Sequence, residues 1–115
     1  MRLTTDFWVS ALLRRVFGEG GFGAILNRGA LEAGAVFILT RDRFGRSNLY
    51  GPAPQTSYDM ARPGERQFSL LESDDDGTAI EKRLERERRF DPDIWVVEIE
   101  PGKTEIVDLV SITTP

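Results

Sequence analysis

The sequence predicts an α+β fold in which a mostly antiparallel sheet carries two helices on one face, in the order α-β-β-β-β-α-β-β. Three observations predict it. A segment near the N-terminus spaces its apolar residues for a helix, and Thr78-Ala-Ile-Glu81 has the pattern that opens a second one. Between and after them lie short β-forming runs bounded by Gly, Pro, Asn and Asp.

The first helix is expected to start at a cap on Thr5 or Asp6. Trp8, Val9, Leu12, Leu13 and Val16 recur at i, i+1, i+4, i+5 and i+8, which gives one broad apolar face. Arg14 and Arg15 fall near the last turn, where the helix dipole favours cations, and Gly18, Gly20 and Gly21 end the element. Gly23–Arg28 fits a short strand, with a second helical turn as the alternative. Ala35–Thr40 (AVFILT) is a near-continuous apolar run of β-formers and is expected to be a central strand. Arg41–Arg46 holds Asp and Gly at turn spacing and joins that strand to Ser47–Tyr50 as a hairpin. Gly51–Arg66, with three Pro and two Gly, is expected to be a long loop.

In Gln67–Leu71 the alternation turns Phe68 and Leu70 inward, a strand pattern, and Ser73–Gly77 is an acidic turn. The second helix is expected over Ala79–Phe90 with a narrow stripe of Ala79, Ile80, Leu84 and Phe90, stopped by Asp91-Pro92-Asp93. Ile94–Glu100 is a strand with Trp95, Val97 and Ile99 on one face. Pro101-Gly102-Lys103 turns into a last strand near Glu105–Val110.

Composition narrows the function classes. At 115 residues, 40% hydrophobic and 30% charged, the chain is expected to form one globular domain over residues 1–115. The absence of cysteine removes disulfides, thiolate metal sites and cysteine nucleophiles. The absence of histidine removes His-dependent triads and the usual zinc and non-haem iron sites. No metal and no cofactor is expected, and any cation would need oxygen ligands. The net charge of −4 makes nucleic acid a poor general partner, although thirteen of the fifteen basic residues are Arg. The longest apolar run is far shorter than a membrane span, and the N-terminus shows no cleavable signal pattern, so a soluble cytoplasmic protein is expected.

Several motifs dissolve on inspection. Gly18-Glu-Gly20-Gly-Phe-Gly23 spells G-x-G-x-x-G, but the phosphate-binding form follows a strand and opens a helix, whereas here a helix precedes. Asp74-Asp75-Asp76-Gly77 lacks the sixth-position Gly and twelfth-position Glu of a calcium loop, and suits the start of a helix instead. Glu98 and Glu100 share a strand face, but acid–base work would require one of them to be desolvated. Arg83–Glu87 and Glu85–Arg89 are i,i+4 pairs that neutralise the charged helix along its own face.

Two constellations remain. Arg41, Arg43 and Arg46 surround a hairpin tip with Phe44 between them, a minimal arrangement for gripping an anion or a single strand. Tyr50-Gly51-Pro52-Ala53-Pro54-Gln55 leaves a strand end with a backbone stiffened by proline, as a recognition loop needs. A pocket there would draw on Arg14, Tyr50, Gln55 or Asp91. Each has a plain alternative: hairpin tips are polar anyway, and prolines also steer a chain around a sheet edge.

Three stretches together, Leu3–Arg15 (LTTDFWVSALLRR), Leu49–Gln55 (LYGPAPQ) and Arg89–Glu98 (RFDPDIWVVE), resemble a small bacterial family of unknown function seen chiefly in alpha-class proteobacteria. The resemblance spans nearly the whole chain. It implies a bacterial cytoplasmic protein and no particular activity, cofactor or catalytic residue. The favoured expectation is therefore a non-catalytic binding or protein-interaction domain, with self-association suggested by Phe7 and Phe17, which fall off the main apolar face of the first helix. The alternative is a small enzyme or anionic-ligand binder using Arg and carboxylate side chains around the Pro-rich loop.

Overall fold

The structure, a computed structural model, describes residues 3–42, 44–54 and 66–113. Thr4, one residue ahead of the expected caps, starts α1 (Thr5–Gly18) by accepting a hydrogen bond from the Phe7 N–H at 3.2 Å. The helix stops where the glycines allow it to. Gly20 adopts φ +81°, a left-handed value that a side chain resists, and the Gly21 N–H returns to the Val16 carbonyl at 2.9 Å.

The chain then forms β1 (Phe22–Asn27), β2 (Val36–Arg41), β3 (Ser47–Pro52), β4 (Gln67–Asp74), α2 (Thr78–Phe90), β5 (Trp95–Glu100), α3 (Ile106–Leu109) and β6 (Ser111–Ile112). The Gly23–Arg28 segment is thus a strand. The acidic turn begins α2 by a different device from the expected Thr78–Glu81 box. Gly77 is the cap residue, and the Asp74 and Asp76 carboxylates accept from the N–H groups of Ala79 and Thr78 at 2.6 and 2.9 Å.

The fold class is α+β, with one six-stranded sheet in the order β1-β5-β2-β3-β4-β6. The sheet is mostly antiparallel, as expected, though not purely so: three of its five strand pairings are antiparallel. β5 inserts between β1 and β2, running antiparallel to the first and parallel to the second, and β6 lies parallel to β4. The crossover through α2 makes the parallel β2–β5 pairing sterically accessible.

The helices also divide between the two faces, against the expectation of a single covered face. α1 packs Val9, Leu12 and Val16 onto Val36, Ile38, Trp95, Val97 and Ile99. α2 packs Ile80 and Leu84 onto Phe37, Leu49 and Val96 from the other side. That is why Ala35–Thr40 and Trp95–Ile99 are apolar at nearly every position: both strands are central and are covered on both faces.

Three details of the sequence reading change. Glu105–Val110 is mostly the short helix α3, because Asp108 accepts from the Glu105 N–H at 3.4 Å and Ile106, Leu109 and Val110 present an i, i+3, i+4 face to the core. Leu70 faces out, 52% exposed, although Phe68 two residues earlier is buried. Both lie on the α1 side of β4, but Phe68 meets Trp8 there and Leu70 runs beyond the helix's cover; alternation puts Leu71 on the α2 side, and a bulge opposite Leu49 and Tyr50 keeps Glu72 on that side as well. Finally, the α2 stripe reduces to Ile80 and Leu84, since Ala79 is exposed and Phe90 is 90% exposed.

Candidate interaction surface

β3 delivers Tyr50, Gly51 and Pro52 to one end of the sheet, opposite the start of β2 and of β4. Tyr50 pairs across to Ile38 and Leu70 and rests half-buried against the α1-side core. Burial pushes its phenol pKa up from the ordinary value, because the phenolate loses its solvation. Gly51 is buried, and a Cβ there would lie 2.9 Å from the Phe37 ring. Its glycine therefore serves packing. Pro52 sits exposed at the strand end, and the Ala53 N–H extends the pairing by donating to the Gln67 carbonyl at 2.9 Å. Gln55 lies outside the described residues, as does Arg43.

The same end of the sheet gathers groups that pattern reading passed over. The Arg66 guanidinium lies over the Trp8 indole, 5.5 Å from the ring centroid, and donates to the Thr5 hydroxyl. Trp8 in turn stacks on Phe68 with centroids 5.7 Å apart. Arg28 covers the Trp95 ring at 5.1 Å and pairs with Asp6 at 3.3 Å. The Trp95 indole N–H is held by the Ala30 carbonyl at 2.8 Å. Only the spacing of Trp8 within the helix was visible in sequence; no local signal marks Arg66 as its neighbour or Arg28 as that of Trp95.

The remaining candidates do not converge. Asp91 ends α2 by accepting from the Asp93 N–H at 3.0 Å, the turn that launches β5. Arg14 is exposed on the outer side of α1, while the neighbouring Arg15 reaches across to the carbonyls of Asp108 and Leu109 at 2.9 and 3.2 Å. Arg41 ends β2 at the opposite end of the sheet from Pro52. The hairpin beyond it is organised by Asp42, whose carboxylate accepts from the N–H groups of Phe44 and Arg46, and Arg46 pairs with Asp75 at 3.3 Å.

No group of three or more Asp, Glu, His or Cys side chains able to hold a metal occurs among the described residues. A shallow groove of about 420 Å³ runs between β4 and α2, lined by Glu72, Lys82, Arg86 and Arg89 among others, and its mixed charges select no ligand. No helix among the described residues is long and apolar enough to cross a membrane.

Large apolar side chains are nevertheless left in solvent on several elements, among them Phe44, Leu70, Phe90 and Val107. Phe7 and Phe17 on α1 are 60% and 53% exposed; Phe22 and Leu26 on β1 are 50% and 51% exposed. Phe17 and Phe22 meet edge to face, 6.3 Å apart at 85°. Leu3 and Leu31, near the start of α1, are 46% and 54% exposed.

A family model described as a protein of unknown function, DUF1491, matches residues 3–107. The chain is similar to a protein from A. tumefaciens solved in solution, with 49% identity, 100% of this chain and 98% of that chain covered, and a TM-score of 0.83. It is also similar to a DUF1491 family protein from Caulobacter crescentus CB15. The crystal structure of that type shows 32% identity over 99% of this chain and 100% of the other at a TM-score of 0.77. An NMR structure shows 35% identity over 99% of each chain at 0.77. No curated protein matches the chain.

Proposed function

The chain belongs to the DUF1491 family, proteins of unknown function, and on that footing we propose that it is a non-catalytic binding domain of the cytoplasm that engages a protein partner. The observation that supports this reading is the exposure of Phe7 and Phe17 on α1 and of Phe22 and Leu26 on β1, with Phe17 and Phe22 in contact. Scattered apolar residues on a surface are ordinary, but contiguous ones along a helix and the adjoining strand mark interaction sites. Aromatic rings supply much contact area for little lost side-chain freedom.

The reading as an anion binder at the Pro-rich loop has weaker support. The arginines at that end are already engaged by Trp8, Thr5, Trp95 and Asp6. The first-turn N–H groups of α1 are occupied too: Thr5 and Asp6 donate to Glu32 and Leu31, and Phe7 donates to Thr4.

A photo-cross-linking residue at position 17 tests the proposal in the cell. A discrete protein adduct is expected from that position and none from position 86 on α2. Equal trapping at both positions, or none at 17, would overturn it.

A further inference from the structure

We draw no further inference here: the strongest candidate, the uncharged outer edge of β1 with Phe22 half-exposed against Phe17 of α1, is an unpartnered apolar surface, and nothing in the structure shows what covers it.

Discussion

Arg66 lies over the indole of Trp8, 5.5 Å from its centroid, and its guanidinium also reaches the Thr5 hydroxyl. One side chain thereby ties the start of β4 to the first turns of α1, fifty-eight positions earlier in the chain. Thr5 is itself fixed, because it is fully buried and donates to the Gly34 carbonyl at 3.0 Å. The contact is a clamp between the helix and the sheet at the end where Tyr50 and Pro52 emerge.

Arg66→Ala is expected to lower unfolding stability by about 1–2 kcal/mol, the range of a partly desolvated cation–π contact with a charge-assisted hydrogen bond. Arg66→Lys should recover only part of the loss, since an ammonium cannot stack as a plane. Urea titration of both variants measures it.

Leu12 is 4% exposed and sits between α1 and the sheet. Leu12→Ala should cost about 2–5 kcal/mol, as buried leucine truncations do. A loss below about 1 kcal/mol in urea would mean that the helix closes the cavity by shifting.

Gly51→Ala separates architecture from recognition at the end of β3. The added methyl would sit 2.9 Å from the Phe37 ring, so overpacking should destabilise the fold by about 1–3 kcal/mol. Pro54→Ala, at an exposed position one step past the paired backbone, should leave the melting temperature within a degree or so.

The Asp76 carboxyl is held below its ordinary value of 3.8, chiefly by the Thr78 backbone N–H. A folded-state pKa below the unfolded one contributes stability that is present above 3.8 and is lost as the pH falls through the lower, folded value. Asp76→Asn should therefore be less stable than the wild type at neutral pH, with the gap closing in strong acid. Thermal melts from pH 7 down to about 2 follow the convergence.

Tyr50 has the opposite sign. Its raised pKa means that burial favours the neutral phenol, so its contribution is intact below the ordinary value of 10.0 and is lost as the pH rises through the folded value. Tyr50→Phe should leave stability at pH 7 little changed and flatten the alkaline decline above 10.0, which melts in carbonate buffer would show.

Much of this was legible because it is local. The i, i+3, i+7 spacing of Val9, Leu12 and Val16 gave the buried face of α1, and the exposure of Phe7 and Phe17 follows from the same wheel. Gly20 marked the helix end through a backbone angle that other residues resist. Trp95, Val97 and Ile99 were placed on one face by strand alternation alone. The proposed binding residues were less legible. Tyr50, Gly51 and Pro52 arrive together because they are consecutive, while Arg14, Arg41 and Asp91 depend on how distant elements meet, and the fold sends them to different places.

The sequence by itself determined the fold class, the two long helices, the central strands and the surplus of aromatic residues that no helix face could absorb. Each of those follows from backbone preference or side-chain period within a dozen residues. Only the tertiary structure decided that β5 enters between β1 and β2, that α1 and α2 cover opposite faces, that Leu70 escapes burial, and that β1 is left as an uncharged edge. Those outcomes turn on which of several compatible strands pair. Period-2 alternation gives a strand two faces but does not choose its neighbours; that choice is made by burial across segments far apart in the chain.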